Sequence, residues 1–134
     1  MLGLPETRLG IVPLACGIER LAARAGLGRA RVVGLGGDLH TAEEFAVRGV
    51  IDRLVHSDEL HNAAEEFARR LAAGPTRAFS VVKDLIRAYT TDGVMGADSL
   101  LTDAAVGLFD TEDARGGIES FLTSGPGHAA FAGR

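Results

Sequence analysis

After Ser57, apolar residues recur three and four positions apart, and this spacing restricts the rest of the chain to amphipathic helices. The sequence predicts one helix from a Ser57 or Asp58 cap to Gly74-Pro75, then two more, the second ending near Phe109. Their apolar stripes are Leu60, Ala63, Ala64, Phe67 and Leu71; Ala78, Val81, Val82, Leu85, Ile86 and Tyr89; and Leu101, Ala104, Ala105 and Leu108. A last helix should carry Ile118, Phe121 and Leu122, preceded by the negative charges of Asp110, Glu112 and Asp113.

Shorter elements are predicted before Ser57. Helices are expected around Ile18 to Ala25 and Arg29 to Leu35, because apolar residues lie there at helical spacing between glycines. Thr41 to Glu44 reads as a capping box that opens a third helix ending at Gly49. Val50 to Val55 is rich in β-branched residues and is predicted as a strand. One strand among six or seven helices suggests part of a larger fold.

Composition excludes several classes of protein. The net charge is −4 over 134 residues, which disfavours binding to nucleic-acid phosphates. The single cysteine, Cys16, cannot form an internal disulfide, and no apolar run is long enough to span a bilayer, so a cytoplasmic protein is expected. A metal site is not expected, because His56 and His61 would lie about 140° apart on a helix.

The opening segment offers a candidate catalytic carboxylate. Glu6 follows Pro5 and precedes an apolar run that leads to a helix start near Gly17. Apolar surroundings disfavour the charged form of a carboxylate and suit it to both giving and taking a proton. The alternative is that Glu6 is a surface residue or a helix cap.

Two other motifs are weaker candidates for a functional site. Gly34-Leu35-Gly36-Gly37 lacks the spacing and the preceding strand of a dinucleotide-binding loop, so a helix stop is the better interpretation. Cys16 beside a helix start could be a nucleophile, but no histidine lies nearby in sequence and a packed thiol is favoured.

Taken in order, many short motifs resemble the second half of the enoyl-CoA hydratase/isomerase, or crotonase, family. They are Pro5-Glu6, Leu9-Gly10-Ile11-Val12-Pro13, Gly17, Arg20-Leu21, Gly37-Asp38, Ala42-Glu43-Glu44, the segment 49–55, the segment 71–75, Lys83, Phe109, Thr111-Glu112-Asp113, Gly117-Ile118, Phe121-Leu122, Gly125-Pro126-Gly127 and Phe131. Each motif is weak alone, whereas the ordered set is specific.

The resemblance implies an α/β fold, the C-terminal part of a ββα spiral, that is mostly helical here with one or a few short strands. Residues 1–56 would close the spiral core, and residues 57–134 would form a helical assembly region. It also implies a homo-oligomer, a trimer or dimer of trimers, that acts on acyl-CoA and needs no cofactor beyond the CoA of its substrate. No nucleic acid or membrane partner is expected.

By position in the family, Glu6 inherits a catalytic glutamate role. The resemblance places Pro13, Leu14 and Gly17 near the acyl group, and Lys83 and Phe131 near the CoA nucleotide. For Lys83 the alternative is a solvated helix face.

The family's other catalytic glutamate and both oxyanion-hole amides lie upstream of the Pro-Glu motif. We therefore expect residues 1–134 to have impaired activity or none. The alternatives are a non-catalytic assembly module or a fragment with no activity of its own.

Two departures from the family pattern bear on the reaction. Pro13-Leu14-Ala15-Cys16-Gly17 stands where hydratases usually have Pro-Gly-Ala-Gly-Gly, and the larger side chains would narrow the space near the acyl group. Gly116-Gly117 replaces the usual Glu-Gly. Isomerase, dehalogenase, hydrolase and C–C cleavage branches of the family therefore stay open beside hydration.

Overall fold

Helices dominate the structure, a computed structural model that describes residues 1–134. The elements are β1 (Leu2–Gly3), a 3₁₀ turn (Pro5–Leu9), α1 (Gly17–Ala25), α2 (Leu27–Gly36), β2 (Leu39–His40), α3 (Ala42–Val47), α4 (Leu60–Ala72), α5 (Thr76–Phe109) and α6 (Glu112–Ser124). Contacts group them into two units, residues 1–60 and 61–134. The mostly helical character with short strands confirms the predicted fold class. No helix is both long and apolar enough to cross a membrane.

The apolar core of the first unit lies between α1, α2 and α3. Its buried side chains are Leu21, Ala25, Ala30, Val33 and Phe45. Helices α1 and α2 approach closely at Gly34, where an added Cβ would lie 2.6 Å from Ile18 Cδ1. The predicted helices at Ile18 to Ala25 and Arg29 to Leu35 are therefore confirmed, and the small residues of α2 explain how they pack.

The only paired strands are β1 and β2, which are antiparallel with Leu2 opposite His40 and Gly3 opposite Leu39. The predicted strand at Val50 to Val55 is wrong. The amides of Val50 and Ile51 both donate to the Phe45 carbonyl, at 2.9 and 3.3 Å, which continues the end of α3. The β-branched residues 50 and 51 pack on the core instead of pairing with another strand.

The predicted capping box at the start of α3 is confirmed. Thr41 Oγ1 accepts from the Glu44 amide at 3.2 Å, and Glu44 Oε2 accepts from the Thr41 amide at 2.8 Å. The pKa of Glu43 is lowered, first by a hydrogen bond from its own backbone amide and then by the Thr41 hydroxyl. The first turn of α3 is thus stabilised by local hydrogen bonds to the side chains of Thr41, Glu43 and Glu44.

Replacing Thr41 with alanine is expected to lower the free energy of unfolding by about 1 kcal/mol, because the Glu44 amide loses its acceptor. The measurement is urea unfolding followed by circular dichroism. Thr102→Ala, the same change on an exposed face of α5, is the matched control and should shift the midpoint little. Equal shifts for the two variants would contradict a capping role for Thr41.

Helix α4 begins at Leu60, the last residue of the first unit, and not at the predicted Ser57 or Asp58 cap. Residues 57–59 form a turn in which the Glu59 amide donates to the His56 carbonyl at 3.1 Å. The second and third predicted stripes lie on α5, which is broken at Gly93, where φ is 68° and ψ is −163°. No side chain of α4 or α5 is buried, so the stripe of α4 and the two stripes of α5 all remain accessible.

The start of α6 is held by a cap and by the end of the chain. Thr111 Oγ1 accepts from the Ala114 amide at 3.1 Å. This cap was not predicted, because the sequence pattern indicated only the neighbouring negative charges. The buried Asp113 carboxylate accepts from the amides of Ala132 and Gly133 at 2.7 and 2.9 Å. The Asp113 amide in turn donates to the Arg134 carbonyl at 3.0 Å. We call this set of three hydrogen bonds the Asp113 clasp.

Candidate active site

Glu6 lies in the 3₁₀ turn, which Pro5 starts and Gly10 ends. The Ile11 amide donates to the Glu6 carbonyl at 3.2 Å, so the backbone of the turn is internally bonded. The side chain is half-buried, and its Oε2 atom is buried without a hydrogen-bond partner. A buried carboxylate oxygen without a donor is costly unless a ligand or water supplies one. Among the sequence-predicted site residues, Glu6 alone has this property.

Both residues that follow Glu6 anchor its turn to the end of α2. Thr7 Oγ1 donates to the Gly34 carbonyl at 2.8 Å. Arg8 Nε donates to the Gly36 carbonyl at 3.3 Å, and its guanidinium pairs with Asp38. These bonds satisfy carbonyls that a helix C-terminus leaves unpaired and fix the position of the Glu6 backbone.

Gly37 permits this close approach. Its φ of 63° is left-handed, and an added Cβ would lie 2.9 Å from Arg8 Cγ and 3.1 Å from Thr7 Oγ1. A side chain at this position would be strained and would push the Glu6 turn away from α2.

Beside the anchored turn lies an apolar cleft of about 470 Å³. Its lining residues are Thr7, Val12, Pro13, Ile18, Ala22, Leu27, Ala30, Arg31, Gly34 and Leu35. Arg31 is the one charged residue of this lining. The cleft can accept apolar groups. Thr7, which follows Glu6 in the chain, is part of its wall, so the cleft lies beside Glu6.

The three residues predicted near an acyl group are only partly brought together. Pro13 lines the cleft, and its Cβ lies 3.7 Å from the place where a Cβ of Gly17 would stand. Gly17 opens α1 and packs against Leu4. Leu14 is 82% exposed and lies outside the cleft lining, and its binding role stays a prediction.

Lys83 and Phe131 both lie in the second unit. Lys83 is exposed on α5, which agrees with a solvated helix face. Phe131 packs near Gly117, with 3.4 Å between its ring and an added Cβ, and lines an apolar groove of about 470 Å³ with residues of α5 and α6. Lys83 does not line that groove, so the two predicted CoA contacts are not gathered into one site there.

Cys16 caps α1 with φ 56°, and no other non-glycine residue of the chain has a positive φ. Cys16→Gly is expected to raise the free energy of unfolding by about 0.5 kcal/mol, because removing left-handed strain outweighs the greater freedom of the unfolded chain. Cys16→Ala keeps the strain and should leave stability nearly unchanged. Thermal melting of the three proteins tests this, and an equal gain for alanine would assign the effect to the thiol instead.

Thr7, Arg8 and His40 were not predicted from the sequence as residues near the site. The anchoring roles of Thr7 and Arg8 depend on carbonyls 27 and 28 residues away, which no local pattern reveals. His40 is 9% exposed, stacks on Phe45 at 5.3 Å between ring centroids, and has a buried Nε2 without a partner. The side chains of the chain form no group of three or more potential metal ligands.

The chain belongs to the enoyl-CoA hydratase/isomerase family, whose family model matches residues 1–129. It is 31% identical over 128 residues to a probable enoyl-CoA hydratase of Rhodobacter capsulatus, covering 96% of this chain and 49% of that protein. It is 36% identical over 81 residues to probable enoyl-CoA hydratase EchA17 of Mycobacterium tuberculosis strain H37Rv, covering 60% of this chain and 31% of that one. The crystal structure of the Bacillus anthracis enoyl-CoA hydratase superposes with a TM-score of 0.85 at 28% identity, covering 99% of this chain and 51% of that one. The chain thus spans between about a third and half the length of these relatives.

Proposed function

We propose that the chain provides the Glu6 acid–base group of a crotonase-type enzyme that acts on acyl-CoA thioesters. The observation that carries this proposal is the buried Glu6 Oε2, which no protein donor satisfies in a turn fixed by Thr7 and Arg8. A carboxylate held in this way can take a proton from water or from the carbon next to a thioester carbonyl, and can return it.

The cleft supplies the second part of the proposal. Its apolar wall at Val12, Pro13 and Leu35 suits a hydrocarbon chain better than a charged group. We assign the acyl group to this side of Glu6, near Pro13 in the cleft wall and Gly17 at the start of α1. The CoA nucleotide contacts of Lys83 and Phe131 stay predictions from the family pattern.

Residues 1–134 alone are expected to turn over enoyl-CoA near the uncatalysed rate. In this family the enolate oxygen is held by two backbone amides upstream of the Pro-Glu motif. Loss of even one such donor costs about 10² to 10³ in rate. The catalytic contribution of Glu6 is therefore measurable only where those amides are supplied.

A chimera with a relative would supply the two backbone amides that hold the enolate oxygen. Residues 1–134 would replace the matched half of the Bacillus anthracis hydratase, and loss of the conjugated thioester absorbance of a short enoyl-CoA would report hydration. Turnover above the uncatalysed rate is the expected result. A chimera that melts cooperatively but neither hydrates enoyl-CoA nor isomerises its double bond would contradict the proposed function.

The second candidate function is assembly, and the exposed stripes of α4 and α5 favour it. Ile86 and Tyr89 on α5 are 58% and 56% exposed, although they lie on the apolar stripe of that helix. Burying such stripes between copies would remove apolar surface from water. A stable oligomer of the chain in light scattering supports this role, and a monomer at all concentrations contradicts it.

A further inference from the structure

One charged side chain lies among the apolar residues of the cleft beside Glu6. Leu27, Arg31 and Leu35 follow one another at four-residue spacing and therefore share one face of α2. Leu27 and Leu35 are 64% and 78% exposed, and Arg31 is exposed between them. An apolar helix stripe would have a third apolar residue at position 31. The cleft instead carries a positive charge at the middle of its α2 wall.

The Arg31 guanidinium has no partner within the chain. The four other arginines of the Glu6 turn, α1 and α2 each donate a side-chain hydrogen bond to a carbonyl or a carboxylate; they are Arg8, Arg20, Arg24 and Arg29. Arg31 is absent from the ion pairs of the chain, and no aspartate or glutamate lines the cleft. A ligand in the cleft therefore meets a guanidinium that the lining does not neutralise.

Arg31 lies close to the anchor of the Glu6 turn. It comes three residues before Gly34, whose carbonyl accepts from Thr7 Oγ1 at 2.8 Å. Three residues of an α-helix rise about 4.5 Å, so Arg31 is about one helical turn from that anchor. Thr7 and Arg31 line the same cleft. A short acyl chain that reacts beside Glu6 and extends along α2 would therefore bring its far end to Arg31.

We propose that Arg31 makes this site selective for acyl-CoA thioesters whose acyl chain ends in a second carboxylate. The inference rests on the proposed function, because it takes the acyl group to lie in the cleft beside Glu6. The methylene groups of such a chain would contact the apolar wall, and its charge would lie only at Arg31. A guanidinium can pair with a carboxylate through two parallel hydrogen bonds. A chain ending in a methyl group would cover the guanidinium without giving it a partner, which is unfavourable.

Two unreactive ligands of equal chain length test the preference. Glutaryl-CoA ends in a carboxylate and pentanoyl-CoA ends in a methyl group. Each is titrated into residues 1–134 while the Arg31 Nε–H signal and the backbone amide signals are followed by nuclear magnetic resonance. We expect glutaryl-CoA to bind at least about tenfold more tightly, as one charge-assisted pair allows, and to shift the Arg31 signal. Equal affinities, or no binding of glutaryl-CoA, would overturn the proposal.

Variants of Arg31 assign the preference to its side chain. Arg31→Met removes the charge but keeps a long side chain, and it is expected to abolish the preference for glutaryl-CoA. Arg31→Lys should retain only part of it, because lysine lacks the two parallel donors of a guanidinium. Circular dichroism of each variant checks that its helices are retained.

Arg29→Met is the matched control, because Arg29 lies on the same helix but outside the cleft lining and donates to the Ala25 carbonyl at 3.4 Å. Its preference should equal that of the unaltered chain. A preference retained in Arg31→Met, or lost equally in Arg29→Met, would overturn the assignment to Arg31.

Binding and catalysis fail separately in these experiments. The preference is measured with ligands that do not react, whereas hydration by the chimera also requires proton transfer at Glu6. Selective binding of glutaryl-CoA, with no turnover of any enoyl-CoA by a folded chimera, would contradict the proposed function alone. Hydration of a methyl-ended enoyl-CoA, with no preference for the carboxylate, would contradict this inference alone.

Discussion

Glu6→Gln is expected to lower the hydration rate of the chimera by about 10² to 10⁴, the usual contribution of a positioned general acid–base group. Glutamine keeps the shape of the side chain and the turn bonds made by Thr7 and Arg8, because neither bond involves the Glu6 carboxylate. It cannot exchange a proton at the position of Oε2. The loss should therefore appear in kcat, with the melting temperature nearly unchanged.

Glu19→Gln is the matched control, because Glu19 is an exposed carboxylate on α1 in the same unit. Its rate should equal that of the unaltered chimera. If both variants lost activity equally, the cause would be charge or stability and not proton transfer. If neither lost activity, Glu6 would not be the acid–base group, although family membership would be unaffected.

Local sequence patterns predicted the helices and the capping box because the forces that form them act within a few residues. Thr41 and Glu44 satisfy each other's amides across one turn, and the α1 stripe repeats within nine residues. The ordered motifs predicted Glu6 as a catalytic residue. The structure adds that its Oε2 atom is buried and has no hydrogen-bond partner.

The errors have a common physical cause, which is that strand pairing and anchoring depend on residues far away in sequence. Val50 to Val55 has the composition of a strand, but a strand needs a neighbouring strand to pair with. The first two amides of this segment donate instead to the Phe45 carbonyl of α3. Leu2 and His40 do pair, although neither lies in a recognisable strand pattern. The Thr7 anchor likewise joins residues 27 positions apart.

At Cys16, a departure from the family pattern affects the strain of the backbone. Hydratases usually carry glycine there, and the left-handed φ of Cys16 is the conformation that glycine adopts without strain. The helix start at Gly17 therefore keeps its geometry at a cost in stability. The exposed thiol and the exposed Leu14 leave the apolar cleft itself unobstructed.

Asp113→Ala is the change expected to have the second largest effect, because it removes two of the three hydrogen bonds of the Asp113 clasp. The carboxylate is 6% exposed and accepts two amides of the tail. Deleting it leaves the Ala132 and Gly133 amides without acceptors, which should cost about 3 kcal/mol for two charge-assisted bonds. Hydrogen exchange of those amides should accelerate by about 10², as expected for a local opening of that free energy.

Glu112→Gln tests whether the tail is held by an exposed ion pair or by the Asp113 clasp. Glu112 Oε2 lies 2.9 Å from Arg134 Nε, but both side chains are exposed, so the pair should contribute less than about 1 kcal/mol. Exchange at Ala132 and Gly133 should therefore change little in this variant. Asp113→Asn should resemble alanine, because an amide offers only one acceptor oxygen and would turn a donor toward a tail amide. Slow exchange retained in Asp113→Ala would show that the tail is held by the packing of Phe131 and not by the carboxylate.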